Sequence, residues 1–185
     1  MMEEGMKEIM RCSSLLNVFL PSNYSKSVFD LNFAKLKKEG IKGIITDLDN
    51  TLVPWDEPSA NQTVINWIEE AKRHEIKVII ASNNSEERVK HFCNPLDIPY
   101  IHRAKKPLKG VYKKALERLE LEKEEVVAIG DQLMTDIFGA NLFGVKTILV
   151  VPVAVTDGLT TKFNRMMERQ VLKLMRRKGM VYWEE

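Results

Sequence analysis

Ile41-Lys42-Gly43-Ile44-Ile45-Thr46-Asp47-Leu48-Asp49-Asn50-Thr51-Leu52 is an apolar run that ends in two carboxylates one residue apart, followed at once by Asn-Thr. Strands buried on both faces are apolar along their length, and strands deplete Asp and Asn. The stretch therefore predicts a core strand whose carboxyl end presents Asp47 and Asp49 to a crevice. Residues two apart on a strand face the same side, so both carboxylates can converge on one point. Like charges held that close raise each other's pKa unless a cation stands between them. Oxygen-only ligands favour Mg²⁺, which commonly brings phosphate with it. The letters Asp-Asn-Thr also spell a turn with an Asx or N-cap bond. The rest of the chain decides between site and turn.

Downstream, Val53 to Pro58 carries two prolines and reads as a loop. Ser59 or Asn61 can cap a helix with Val64, Ile65, Ile68 and Ala71 on one face. Ile76 to Ala81 is a second buried strand that stops at Ser82-Asn83-Asn84, and Ser85 caps a short helix from Glu86 to Phe92. Ile98 to Ile101 reads as a weak edge strand, followed by Arg103-Ala104-Lys105-Lys106-Pro107. A helix over Gly110–Leu119, a strand over Val126–Gly130, a helix over Thr135–Leu142 and a strand over Val145–Val151 complete the series. Alternating strands and helices with continuously apolar strands predict a parallel α/β sheet covered on both faces. Right-handed crossovers then bring every strand's carboxyl end to one edge, where such sheets bind ligands. Upstream, residues 1–40 are irregular: Leu15 to Leu20 stops at Pro21, and Val28, Phe29, Leu31, Phe33 and Leu36 follow without a clear period. This segment either packs on the core or lies at a membrane surface.

Composition sets outer bounds. A length of 185 residues, 44% hydrophobic and 29% charged, fits one globular domain with a sizeable core. A net charge of +2 makes no global demand for nucleic acid or an acidic partner. Cys12 and Cys93 have neither metal-ligand spacing nor the look of a disulfide framework, which suits a reducing cytoplasm. The acidic start at Glu3 and Glu4 is unlike a signal peptide. No apolar run approaches the roughly 20 residues that span a bilayer.

Four polar motifs fall after strands. Asp47 and Asp49 come first. Ser82 and Asn83 precede a helix, where hydroxyl and backbone N–H groups hold phosphate oxygens or simply cap the helix. Lys106, before Pro107, can neutralise phosphate and carboxylate charge, although Lys105 beside it leaves the choice of lysine open. Gly130-Asp131-Gln132-Leu133-Met134-Thr135-Asp136 closes a buried strand and adds two more carboxylates.

In this order the motifs resemble the haloacid dehalogenase (HAD) superfamily of phosphatases, subfamily III type, over about residues 41–151. Gly40 to Val53, Ala81 to Asn84, Ala104 to Pro107 and Gly130 to Asp136 carry a closer resemblance to the YqeG family, itself similar to phosphatidylglycerophosphatases of the mitochondrial type. The resemblance implies a HAD-like Rossmannoid three-layer α/β fold with a central parallel sheet. It implies Asp47 as nucleophile and Asp49 as general acid and base. It implies Mg²⁺ bound by Asp47, the Asp49 backbone carbonyl and Asp131, with Ser82, Asn83 and Lys106 on the phosphoryl oxygens. Asp136 would orient Lys106 or a metal-bound water rather than bind metal directly, and Thr51 would support the loop. The gaps between Thr51 and Ser82 and between Ser82 and Lys106 are too short for a cap domain, so the site is expected to be open.

The chain then divides into residues 1–40, a phosphatase core at 41–155, and a basic amphipathic helix and tail at 156–185. Between Lys162 and Lys178, Arg165, Arg169, Lys173, Arg176 and Arg177 add positive charge against Glu168 alone. Phe163, Met166, Met167, Val171, Leu174 and Met175 recur at helical spacing. Such a helix either docks on an anionic membrane or packs its apolar stripe on the core. The expected activity is Mg²⁺-dependent phosphomonoester hydrolysis, with phosphatidylglycerophosphate as the leading substrate and phospholipid biosynthesis as its setting. A cytoplasmic phosphatase acting on nucleotides, sugar phosphates, phosphoproteins or nucleic-acid ends is the alternative. A HAD-fold regulatory protein that mainly binds is the third reading. The expected location is the cytoplasm, peripheral to the inner face of the membrane, and an oligomer is compatible with the sequence.

Overall fold

The computed structural model describes residues 16–154 and 159–181, without the side chains of residues 159–163. Glu3, Glu4, Cys12, Leu15 and the side chains of Lys162 and Phe163 lie outside the described residues. Six strands form one parallel sheet: β1 (Asn23–Ser25), β2 (Gly43–Thr46), β3 (Lys77–Ala81), β4 (Tyr100–Ile101), β5 (Val126–Gly130) and β6 (Lys146–Val150). Their order across the sheet is β1-β6-β5-β2-β3-β4. From β2 the chain moves outward through β3 to β4, then returns to β5 on the other side, so the direction of winding switches at β2. Asp47 follows directly.

Alternating side chains of the central strands feed two cores. Ile44, Val78, Ile80, Val127 and Ile129 face α1 (Phe33–Lys38), α2 (Gln62–Arg73) and α3 (Glu86–Cys93), packing with Phe33, Val64, Trp67 and Phe92. Ile45, Ile79, Ala81, Val126 and Ala128 face α4 (Gly110–Leu119) and α5 (Phe138–Phe143), packing with Tyr112, Ala115 and Ala140. Both sheet faces are covered, hence the near-absence of polar residues within β2, β3 and β5. This is the three-layer α/β fold that the alternation predicts. One helix joins β2 to β3 and another joins β3 to β4, with no inserted cap.

Local chemistry sets the helix starts. Asn61, not Ser59, caps α2 by accepting the Val64 N–H at 3.0 Å, and Ser85 caps α3 through the Arg88 N–H at 3.3 Å. On α2 the buried face includes Trp67, and Ile65 is only half-buried. Trp67 completes that face because its indole N–H reaches the Val28 carbonyl at 2.9 Å. The helix expected over Thr135–Leu142 begins earlier, as a π-helical turn over Leu133–Ile137 that continues into α5. Widened turns of this kind recur at functional sites.

Residues 16–40 hold more structure than their pattern suggests. β1 pairs with β6 as an added parallel edge strand, with Asn23 opposite Ile148. Ser22 and Thr147 exchange two hydrogen bonds of 3.0 and 3.1 Å beside it. Asn141 donates to the carbonyls of Val18 and Leu20, both at 2.8 Å. Three residues are too few to show a strand period, which is why sequence patterning passes over β1.

Helix α6 (Leu159–Arg177) packs on the π-helical turn. Met175 is fully buried with Leu133, Ile137 and Leu149, and Val171 and Leu172 are partly buried beside it. Met166, Met167 and Leu174 stay exposed. The expected stripe is thus divided, since the packed line centres on Glu168, Leu172 and Met175 rather than on the methionine pair. Among the described residues, no helix is long and apolar enough to cross a membrane.

Candidate active site

The loops leaving β2, β3, β4 and β5 enclose an open cleft of about 300 Å³ lined by Asp47, Asp49, Asn50, Trp55, Ser82, Asn83, Asn84, Lys106, Gln132, Thr135 and Asn164. The Asp47 N–H donates to the Ile129 carbonyl at 3.0 Å, which extends the β2–β5 ladder by one bond and fixes where its side chain emerges. Its Oδ1 accepts from the Leu48 N–H at 2.8 Å and from Lys106 Nζ at 2.9 Å. Asn50 adopts a left-handed φ of 63°, which Asn tolerates better than most residues, and reverses the chain. The turn aims Thr51 at β5, where its hydroxyl donates to Asp131 Oδ1 at 2.9 Å.

Lys106 is 7% exposed and bridges Asp47 and Asp136, the latter at 2.6 Å. Lys105 points to solvent, which separates the two lysines that the sequence left equivalent. The amide of Asn83 positions Lys106, accepting from its N–H at 2.7 Å and donating to its carbonyl at 3.1 Å. With one amide hydrogen and one carbonyl lone pair so engaged, Asn83 keeps its backbone N–H and its second amide hydrogen to offer a ligand. Ser82 Oγ accepts from the Asn84 N–H at 3.1 Å, so its own O–H remains to donate.

Asp136 completes the lysine cradle. Its Oδ1 takes Lys106, and its Oδ2 accepts from the Gln132 N–H at 3.1 Å. Gly130 makes room for it: a Cβ there would lie 2.3 Å from Asp136 Oδ2. Gly130→Ala is expected to cost about 1–3 kcal/mol through overpacking and to displace Asp136 from Lys106. Thermal unfolding and phosphate release check this, and wild-type values for both would contradict the packing.

Asp49 diverges from the simple strand picture. The strand ends at Thr46, so period-two geometry no longer governs residues 47 and 49. The Asp49 carboxylate turns to Asn84 Nδ2 at 2.9 Å and to Arg88 Nε and Nη2 at 3.2 and 3.0 Å. The carboxylates that do converge are Asp47, Asp131 and Asp136, whose nearest oxygens lie within 4.8 Å of one another. An all-oxygen, buried donor set of this kind fits a hard divalent cation. Thr135 Oγ1 is buried on the cleft wall with no hydrogen-bond partner among the described residues. An orphaned hydroxyl at that place fits a site that receives a ligand.

Burial dominates the electrostatics. It pushes the Asp131 carboxyl up to about 7, with Asp136 adding to the rise while Arg165 opposes it. It raises Asp136 to about 6 against the pull of Lys106. Burial also raises Asp49, which the Asn84 hydrogen bond opposes and the Asp47 charge reinforces. Burial alone would lower the Lys106 ammonium, but Asp136 and Asp47 reverse this and hold it protonated. The Cys93 thiol, buried in the core, is pushed up to about 12 and is inert.

Several site residues carry no sequence signal. Arg88 lies in the first turn of α3, where it resembles any surface arginine until tertiary contact aims it at Asp49. Asn164 Nδ2 donates to Gln132 Oε1 at 3.2 Å, and Arg165 bonds the Asp131 carboxylate, both from α6. Asn50, Asn84, Gln132 and Thr135, by contrast, lie within the motif stretches without having been singled out there.

The sheet switches direction at β2, and at that point a lysine bridges two carboxylates. Residues 44–104 match the family model for haloacid dehalogenase-like hydrolases, and residues 103–161 match a HAD-hydrolase-like model. The chain belongs to this superfamily. It is 53% identical over 171 residues to the Bacillus subtilis (strain 168) protein named Probable phosphatase YqeG, covering 92% of this chain and 99% of that one. It is 27% identical over 178 residues to phosphatidylglycerophosphate phosphatase 1, chloroplastic/mitochondrial, of Arabidopsis thaliana, covering 87% of this chain but 49% of the plant protein. The chain thus spans about half the length of that relative. The cobalt-bound deoxy-D-mannose-octulosonate 8-phosphate phosphatase of Haemophilus influenzae shares the fold, with a TM-score of 0.51 at 17% identity over 74% of this chain and 90% of that one.

Proposed function

We propose that the protein is a Mg²⁺-dependent phosphomonoester hydrolase working through an aspartyl-phosphate on Asp47, and that its substrate is phosphatidylglycerophosphate. The observation that carries the chemistry is Lys106 held between Asp47 and Asp136 at the floor of an open cleft. An Asp47 oxygen attacks phosphorus, the bond to the leaving oxygen breaks, and Asp49 delivers a proton to that oxygen. Asp49 then takes a proton from the water that releases inorganic phosphate from Asp47. Lys106, the Ser82 hydroxyl and the Asn83 backbone N–H hold the phosphoryl oxygens as charge redistributes. Asp47, Asp131 and the Asp49 backbone carbonyl would hold Mg²⁺, which would supply charge neutralisation between phosphate and nucleophile. Asp136 and Thr51 act as positioning residues for Lys106 and Asp131.

Three observations support a lipid-borne substrate. The Arabidopsis relative is named for one. No cap domain is inserted between β2 and β4. Exposed Trp55, Leu108, Val151 and Val153 follow the carboxyl edge of the sheet, and Met166 and Met167 are exposed on α6. In this reading residues 41–155 carry the chemistry, while residues 1–40 and 156–185 flank it. α6 contacts the inner face of the membrane from the cytoplasm.

The test is phosphate release from phosphatidylglycerophosphate in mixed micelles, with Mg²⁺ and then with EDTA, beside a soluble aryl phosphate. Fast release confined to the lipid and abolished by EDTA is expected. Release from the aryl phosphate alone would retain the chemistry and reject the lipid.

A further inference from the structure

Three carboxylates converge at the site and a fourth, Asp49, lines the cleft apart from them, and each has a basic side chain in contact: Lys106 with Asp47 and Asp136, Arg88 with Asp49, and Arg165 with Asp131. These contacts are not equally exchangeable. Lys106 is buried, and Asn83 clamps its backbone from both sides. Arg88 serves a carboxylate outside the converging trio. Arg165 differs from both. It arrives from α6, a helix beyond the sheet and its crossovers, and its side chain is 18% exposed.

Arg165 also occupies the carboxylate that a cation would use. Asp131 Oδ1 already accepts from Thr51, Oδ2 accepts from Arg165 Nη2, and Arg165 Nη1 donates to the Asp131 carbonyl at 2.8 Å. A second carboxylate stands ready to retain the guanidinium. Glu168, one turn along α6 and 6% exposed, accepts from Arg165 Nη1 at 3.1 Å. Its other oxygen accepts the Leu133 N–H, anchoring α6 to the π-helical turn. The guanidinium can therefore leave Asp131 without losing its ion pair, while the Leu133–Glu168 bond and buried Met175 keep the later turns of α6 docked.

We propose that Arg165 is an exchangeable counter-cation for Asp131, so that a divalent cation at the carboxylate cluster and the docking of the Arg165 end of α6 oppose each other. This rests on the metal-dependent reading of the site and assigns α6 a part in it. Two cations drawn to one carboxylate repel, and by linkage each weakens the other by the same factor. Arg165 tunes cation affinity downward and keeps Asp131 paired when no cation is bound. It is a positioning residue, acting through Asp131.

The experiment is calorimetric titration of Mg²⁺ into the metal-stripped full-length protein, without substrate, for wild type, Arg165→Met and Arg165→Lys. Arg165→Met should bind Mg²⁺ about fivefold or more tightly, within the usual range of coupling between sites, with Arg165→Lys in between. Hydrogen exchange on the wild type reads the reciprocal effect without a mutation: Mg²⁺ should speed exchange in the first turns of α6. Equal or weaker binding by Arg165→Met, or protection of α6 by Mg²⁺, overturns the proposal. A wild-type protein that binds no divalent cation overturns the metal-dependent reading itself, a different failure from a wild type that binds and a variant that matches it.

Discussion

Asp47→Asn should abolish phosphate release, by about four to six orders of magnitude as for the loss of other enzymatic nucleophiles, while the protein keeps its fold and melting temperature. Asp47 Oδ1 is fixed by the Leu48 N–H and Lys106 Nζ, and no described residue donates to Oδ2, which leaves that oxygen to attack. Asparagine is nearly isosteric but presents a neutral amide in place of the nucleophile. Its smaller charge also relieves repulsion with Asp131 and Asp136, which stand within the same cluster. Stability should therefore hold or rise. Single-turnover phosphate release and thermal unfolding on the same preparation separate the two effects. Residual turnover within about tenfold of wild type would reject Asp47 as nucleophile; a collapse of the melting temperature would show a structural part for it.

Lys106→Met is expected to damage both stability and turnover. Removing the ammonium leaves Asp47 and Asp136 buried without their shared cation, and breaking a buried pair from one side costs about 3–5 kcal/mol. Losing a charge aimed at the phosphoryl oxygens should lower turnover by about 10²–10³. The stability loss carries a pH signature. Asp136 is already raised from 3.8 to about 6 with Lys106 present, and without it the carboxyl rises further. A carboxyl whose folded pKa exceeds its unfolded one contributes stability that is complete below the unfolded value and is lost as pH rises through the folded value. The variant's deficit should accordingly be larger at pH 8 than at pH 5. Lys106→Met/Asp136→Leu removes the second charge as well, and should regain most of the stability but none of the activity. Urea unfolding of the single and double variants at both pH values measures this, and additive losses in the double variant would count against the pairing.

The chain's own order of residues determined the central strands, the carboxyl edge as the place of the polar motifs, and Asp47, Asp131, Asp136 and one of the pair Lys105-Lys106 as candidate site members. Periodicity and the polar residues that stop each strand are local signals, and burial on both faces of β2, β3 and β5 forces them to be strong. Tertiary structure decided what depends on direction and distance. It separated Lys106 from Lys105, because one backbone position faces the carboxylates and its neighbour faces water. It turned the Asp49 carboxylate to Arg88 and Asn84, because the strand's alternation ends at Thr46. It engaged the Asn83 side chain on the Lys106 backbone. It paired Asn23–Ser25 with β6 across a long sequence separation, where three residues carry no period of their own. It also buried one line of α6 and left Met166 and Met167 outside, bringing Arg165 onto Asp131. An amphipathic pattern states that a helix has an apolar side; only the surface it meets fixes which side chains that contact covers.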